Sequence, residues 1–150
     1  MIKRRLALYV LVAASAAAAS LAAAASAAHP LSASAYRVKA RGICTVAKRA
    51  AAALPQPKYG ETALVVKDWK ADVKIEETEI VALKRLVPPS NLAPLVRTGL
   101  ADKEAQVTVT KRALAKVQAG TPLLQAAFLI AAAPDDSRAW TKVGAAVCNY

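Results

Sequence analysis

Prolines and glycines divide the chain beyond residue 35 into four runs with the composition of helices. The breaks lie at 55–60, 88–91 and 120–122. Between them, Ala, Leu, Lys, Glu and Val continue without the alternation of apolar and polar side chains that marks a strand. Short breaks between long helical runs favour antiparallel neighbours, so we expect an all-α, up-down-up-down four-helix bundle. The predicted helices are 36–54, 61–87, 91–119 and 122–143.

Helix-capping polar residues, prolines and glycines predict where the later helices begin and end. Ser90 or Asn91 is expected to cap the third helix, and Thr121 the fourth, because their side-chain oxygens accept from backbone N–H groups. Pro134 lies inside the fourth run and should kink or interrupt it, with Asp135, Asp136 and Ser137 starting a new turn. Gly144 is expected to end the fourth helix, which leaves the last six residues as a tail.

The second and third helices each carry an apolar stripe with a single charged residue. The stripes are Thr62, Val66, Trp69, Val73, Glu76, Ile80, Leu83 and Val87 in one helix, and Val96, Leu100, Lys103, Val107, Thr110, Leu114 and Val117 in the other. Folding at the Pro-Pro turn places Glu76 opposite Lys103. We expect a buried ion pair that fixes register. An active site built on the pair is the alternative, since functional sites also contain such pairs.

One side of the first helix is rich in small residues. It carries Ala40, Ile43, Ala47, Ala50 or Ala51, and Leu54. Small side chains are expected to let this helix lie close against its neighbours.

The N-terminus has the three-part layout of a secretory signal peptide. Basic residues at 3–5 precede an uncharged stretch over 6–28, and Ala25-Ser26-Ala27 has the form of a processing site. We therefore predict a signal peptide over 1–28 and a secreted, periplasmic or envelope location.

The predicted helical bundle domain spans 29–150. Cleavage after Ala27 or Ala28 fits the pattern, and so does cleavage after Ala35. A retained anchor is the alternative, because the apolar stretch is long enough to span a bilayer. Its alanine content makes it a poor anchor.

Two cysteines in an exported chain predict one disulfide, Cys44–Cys148. They lie near opposite ends of the predicted domain, so the bond closes a long loop and could stabilise the fold by about 4–5 kcal/mol. Cys44 lies partway along the first helix. The tail after Gly144 must therefore turn back to reach it.

The layout resembles small two-cysteine secreted helical proteins of high-GC bacteria. The resemblance rests on the signal, a cysteine opening a helix, the segment AALPQP, two long helices around Pro-Pro, and a final GAAVCNY. It implies an exported helical protein.

The residues of catalytic and cofactor chemistry are sparse. The chain has one histidine, His29, and lacks nucleophile-elbow, zinc-protease, C-x-x-C and P-loop motifs. We therefore predict that it is not an enzyme and has no catalytic residue, cofactor or metal. Cleavage after Ser26 would open one alternative, because Ala27-Ala28-His29 could then surround Cu(II) in a square plane.

Charge indicates a binding role instead. Three of the 21 Lys and Arg residues lie in the predicted signal, which leaves 18 against ten Asp and Glu, a net charge of +8. One end of the bundle should gather the predicted anion-binding set, opposed only by Glu61. The set is Lys48, Arg49, Lys58, Lys111, Arg112 and Lys116.

Two binding functions follow. We expect a secreted binding or structural module whose basic end docks on an anionic envelope polymer or on lipid head groups rather than on nucleic acid. An ordinary solvated helix end is the alternative for this set. The alternative function is carriage of a small apolar ligand in the bundle core, with large side chains as walls. The candidate walls are Trp69, Leu124, Phe128 and Trp140.

Overall fold

A computed structural model describes residues 29–55, 61–135 and 137–150, and this part of the chain is all-helical, as predicted. The predicted signal peptide and Lys58 lie outside the described residues. The elements are α1 (Ala33–Ala52), α2 (Thr62–Lys84), α3 (Ala93–Gln118), α4 (Leu123–Ala131), α5 (Ser137–Val143) and a 3₁₀ turn (Ala146–Cys148).

α1 begins three residues earlier than predicted because Ser32 caps it. The Ser32 hydroxyl accepts a hydrogen bond from the backbone N–H of Ala35 at 3.2 Å. Just before the cap, the Leu31 N–H donates to the Val87 carbonyl at 2.9 Å. The segment ahead of α1 is therefore bound to the connection between α2 and α3.

The start of α3 differs from the prediction. Leu92 is the cap residue, and no side chain caps the helix. The N–H groups of Leu92 and Ala93 both donate to the Pro89 carbonyl at 3.0 Å. This backbone turn replaces the capping role predicted for Ser90 or Asn91, which are both exposed.

Thr121 closes α3 instead of capping α4. Its N–H donates to the Lys116 carbonyl at 2.9 Å, while Gly120 adopts a φ of 93°. This is a glycine-based C-terminal motif that satisfies the last helical carbonyls. Pro122 then precedes α4 without a side-chain cap.

Pro134 interrupts the fourth helical run, which is one of the two predicted outcomes. α4 ends at Ala131, and α5 begins at Ser137. The Asp135 carboxylate accepts from both the N–H and the hydroxyl of Ser137 at 2.8 Å, and these hydrogen bonds lower its pKa. A new helix start is thus built directly after the proline.

The α2–α3 seam follows the predicted stripes. Ion pairs Lys84–Glu104 and Lys111–Glu77 show that the two helices run antiparallel. Buried stripe residues are Val73, Ile80 and Leu83 on α2, and Val96, Lys103, Val107, Thr110 and Leu114 on α3. α3 also contacts α4 and α5, whereas α1 contacts α2 and the 3₁₀ turn.

The C-terminal tail turns back at Gly144, as predicted. Gly144 has a φ of 84°, and the N–H of Ala145 donates to the Trp140 carbonyl at 2.9 Å. The reversed chain forms the 3₁₀ turn and brings Cys148 to Cys44, with which it forms a disulfide. Arg37 Nε also donates to the Val143 carbonyl at 2.8 Å.

We call the core around this disulfide the closed pole. Its buried members are Tyr36, Ala40, Cys44, Leu83, Leu92, Val96, Trp140, Val143, Ala145 and Cys148. Trp140 is fully buried, and a Cβ on Gly99 would lie 2.8 Å from its indole. The closed pole therefore joins the start of α1, the α2–α3 turn and the C-terminus.

Over the described ranges, no helix combines the length and apolarity needed to cross a membrane.

Candidate binding surfaces

A buried polar cluster lies beneath the C-terminal tail. Lys103 Nζ lies 3.4 Å from Glu79 Oε2, and both side chains are almost completely buried. The Tyr150 hydroxyl donates to the same Glu79 oxygen at 2.7 Å. Lys103 Nζ also lies 5.0 Å from the centroid of the Tyr150 ring, within the range of a cation–π contact. The last residue of the chain therefore covers the ion pair.

Glu79 is the acid that sequence reasoning missed. It lies outside the predicted apolar stripe of α2, yet it is only 2% exposed. A Glu79 carboxylate oxygen and the sulfur atoms of Cys44 and Cys148 all lie within 4.8 Å of one another. Its burial depends on where the disulfide places the tail, which helical periodicity does not encode. Glu76, the predicted partner of Lys103, is half-buried, and its pairing with Lys103 stays a prediction.

Burial and neighbouring acids raise two pKa values in this region. The pKa of Tyr150 is raised above its ordinary value by burial, by its hydrogen bond to Glu79, and by the charges of nearby acids. The pKa of Asp72 is raised by burial and by Asp68, while Lys103 lowers it. Tyr150 is thus held as a neutral donor. The bonded cysteines offer no thiolate for nucleophilic attack or metal binding. The contacts of Tyr150 with Glu79 and Lys103 hold the C-terminal tail against α2 and α3.

An apolar groove of about 550 Å³ lies between α1 and α2. Its size falls within the range of about 300–1,000 Å³ typical of small-molecule sites. Alanines on both helices leave the space that the groove occupies. α1 nevertheless contacts α2, and Ala40 and Ala47 on its small-residue side are buried. The lining residues are Ile43, Val46, Ala47 and Ala50 on α1, and Ala71, Lys74, Ile75, Thr78, Glu79 and Ala82 on α2.

A second surface lies where α3 ends and α4 begins. Leu124 is 70% exposed and Phe128 is 66% exposed. They are four residues apart and therefore share one face of α4. Arg112 and Lys116, in the last two turns of α3, are also exposed. We call these four residues the basic–apolar end.

The predicted anion-binding set is only partly available for a ligand. Lys48 and Arg49 are exposed near the end of α1, and Arg112 and Lys116 near the end of α3. Lys58 lies outside the described residues.

Lys111 forms an ion pair with Glu77 across the α2–α3 seam. The expectation that only Glu61 opposes the basic set was therefore wrong. Two antiparallel helices bring Glu77 within reach from a distant part of the sequence.

The side chains proposed as walls of a core cavity do not form one. The Trp140 indole packs directly against Gly99, and Trp69 packs on the α2–α3 seam. Leu124 and Phe128 lie on the surface. The groove between α1 and α2 is lined by other residues, among them Ile43, Ala47 and Ala50 from the small-residue side of the first helix.

Comparison of the chain with protein-family models, with curated proteins and with solved structures finds no match in any of the three. The expectations of no enzyme activity, no metal and no cofactor stay predictions.

Proposed function

We propose that this chain is an exported helical binding module that docks on an anionic membrane surface through its basic–apolar end. The proposal rests on the exposure of Leu124 and Phe128 on α4, together with the exposed cations Arg112 and Lys116 in the last two turns of the preceding helix. Interfacial helices insert large apolar side chains at the headgroup boundary while basic groups meet anionic lipids. Lys48 and Arg49 add positive charge at the end of α1.

The expected binding is reversible. Full burial of a Leu or Phe side chain contributes about 1.5–3 kcal/mol, and each cation near an anionic surface about 1 kcal/mol. Loss of free motion on binding offsets part of these gains. Lys111 adds little to this attraction, because Glu77 neutralises it.

Exposed Phe128 favours a lipid surface over an anionic polymer. Charged groups alone would attract either partner, but a polymer offers no apolar layer for Leu124 and Phe128 to enter. The polymer remains an outcome that the experiment below distinguishes.

Export is part of this proposal. The signal-like layout of 1–28 supports it, as does a disulfide, which persists in oxidising compartments. Cleavage ahead of Leu31 is supported because cleavage after Ala35 would remove the Ser32 cap and the Leu31–Val87 hydrogen bond. The antiparallel α2 and α3 support the four-helix bundle, with α4 and α5 together as its fourth helix.

Vesicle sedimentation tests the docking proposal. The disulfide-intact protein should bind phosphatidylglycerol vesicles, bind phosphatidylcholine vesicles weakly, and lose affinity as salt rises. L124Q/F128Q should weaken binding by at least about tenfold, since two apolar groups no longer enter the lipid. V38Q is the control, because Val38 is 62% exposed but lies near the start of α1.

A charge variant separates lipid from polymer. R112Q/K116Q should weaken binding, whereas R85Q/R97Q removes the same charge near the closed pole and should change binding little. Absence of vesicle binding would refute the proposal. Sensitivity to R112Q/K116Q without sensitivity to L124Q/F128Q would assign the end to a polymer instead.

A second candidate is carriage of a small apolar ligand, the alternative that the sequence suggests. The groove between α1 and α2, in place of a core cavity, favours it.

A further inference from the structure

We propose that the groove between α1 and α2 binds a single-chain anionic amphiphile, with its apolar chain among the alanines and its acidic head at Lys74. The inference rests on the second candidate function, carriage of a ligand, and is independent of membrane docking. It names the ligand class that the groove would take.

The shape of the groove fits one narrow chain. Its α1 wall runs from Ile43 to Ala50, about 10 Å at the 1.5 Å rise per residue of a helix. Its α2 wall runs from Ala71 to Ala82, about 16 Å on the same basis. An elongated site between two helices suits an extended alkyl chain better than a flat ring system.

The apolar character of the groove continues to its rim. Val46 contributes to the lining and is 69% exposed. Ile43 and Ile75 provide branched side chains on the two walls. A bound alkyl chain would remove this surface from water, which is the main favourable contribution for such a ligand.

Charge at the groove selects the head group. Lys74 and Glu79 are the charged lining residues. Glu79 faces inward, where it contacts Lys103 and Tyr150. Lys74 is exposed and has no ion-pair partner among the described residues.

The nearest acid along the same face of α2 is already engaged. Glu77, three residues after Lys74, pairs with Lys111 of α3. Lys74 is thus the cation available to a ligand head at the rim. The excess of basic residues in the chain further favours an anion over a cation.

Calorimetric titration with three probes of equal chain length tests the inference. Dodecanoate should bind with one site per chain, dodecanol more weakly, and dodecyltrimethylammonium most weakly. The titrations use the disulfide-intact protein without vesicles, below the micellar concentration of each probe. Failure of this experiment would therefore leave the docking proposal standing, and the reverse also holds.

Lys74 and the groove are tested separately. K74Q should weaken dodecanoate binding about three- to fivefold, the effect of losing one exposed ion pair, and leave dodecanol unchanged. K70Q is the matched control, because Lys70 is exposed one turn earlier on α2 and does not line the groove. Equal weakening by K74Q and K70Q would overturn the role of Lys74.

A bulky side chain should fill the groove without disturbing the core. Ala50 lines the groove and is exposed, so A50W should abolish dodecanoate binding while the far-ultraviolet spectrum stays unchanged. A52W, at an exposed position outside the lining, should retain binding. L124Q/F128Q should also retain it, which excludes binding at the basic–apolar end.

Three results would overturn the inference. They are absence of dodecanoate binding, binding that survives A50W, and a concentration-dependent dimer that A50W abolishes. The third would assign the groove to contact with a second copy of the chain.

Discussion

The closed pole and the basic–apolar end treat large apolar side chains in opposite ways. At the closed pole, Tyr36, Leu83, Trp140 and Val143 are completely buried around the disulfide. At the basic–apolar end, Phe128 and Leu124 keep about two thirds of their surface in water. Both regions contact α3, so the difference is not one of distance from the central helix.

The difference shows where this fold buries large apolar side chains and where it leaves them exposed. The closed pole joins the first helix and the last residues, which are far apart in sequence, and a covalent bond holds them together. The basic–apolar end has no such constraint. We infer that stability is concentrated at the first region and interaction at the second.

Removing the disulfide should cost the most. C44A/C148A opens a loop closed over 104 residues, so the free energy of unfolding should fall by about 4–5 kcal/mol in the chain-entropy model. Urea denaturation measures it. The matched change at the other region, L124Q/F128Q, should alter stability by no more than about 0.5 kcal/mol, as surface substitutions do. Equal losses of stability in C44A/C148A and L124Q/F128Q would contradict the inference that stability is concentrated at the closed pole.

The buried ion pair should give the next largest effect. K103M removes the ammonium next to the buried Glu79 carboxylate and should lower the free energy of unfolding by about 3–5 kcal/mol. E79Q/K103M should recover part of that loss. K84M is the control, because its ion pair with Glu104 is half exposed and contributes about 1 kcal/mol or less. Similar losses in K103M and K84M would show that burial of the pair is unimportant.

Two glycines provide a matched pair for packing. G99A puts a methyl group 2.8 Å from the Trp140 indole and should destabilise by about 1–3 kcal/mol through overpacking. G42A, on α1, meets nothing within 4 Å and should stabilise by up to about 1 kcal/mol. Thermal unfolding separates the two signs. A neutral G99A would mean that Trp140 is loosely held.

Alkaline pH should weaken the closed pole through Tyr36. Burial raises the pKa of this tyrosine to about 12 from its ordinary 10.0. The neutral hydroxyl is favoured in the fold, so stability is unaffected below pH 10 and falls between about pH 10 and 12. Tyr150 adds a loss of the same sign.

The variant Y36F isolates the contribution of Tyr36. It should lose stability less steeply than the wild-type protein between about pH 10 and 12. At neutral pH it should be as stable or about 1 kcal/mol more stable, since the Tyr36 hydroxyl has no hydrogen-bond partner in the described part of the chain. Identical slopes for the two proteins would remove Tyr36 from the alkaline response.

The sequence predicted the structural features that depend on helical periodicity and on helix-breaking glycines and prolines. The α2 and α3 stripes follow from helical spacing, and the reversal at Gly144 follows from a glycine placed before the last cysteine. The disulfide follows from two cysteines in a chain with a signal-like start.

Other features depend on tertiary contacts that spacing does not encode. Glu79 lies one position from the apolar stripe, yet it is buried among residues distant in sequence, Cys44, Lys103 and Tyr150. Ala47 and Ala50 were expected to mark close packing, and the structure adds that they line a groove together with Ala71 and Ala82 of α2.

Amide hydrogen exchange of the disulfide-intact protein, with and without phosphatidylglycerol vesicles, tests the separation of the two regions most directly. Amides of α5 and of the start of α1 should exchange slowest and stay unchanged by vesicles, because they open only with the whole fold. Amides of α4 should exchange faster in solution and become protected on vesicles. Slowest exchange in α4, or vesicle protection confined to the closed pole, would contradict the account.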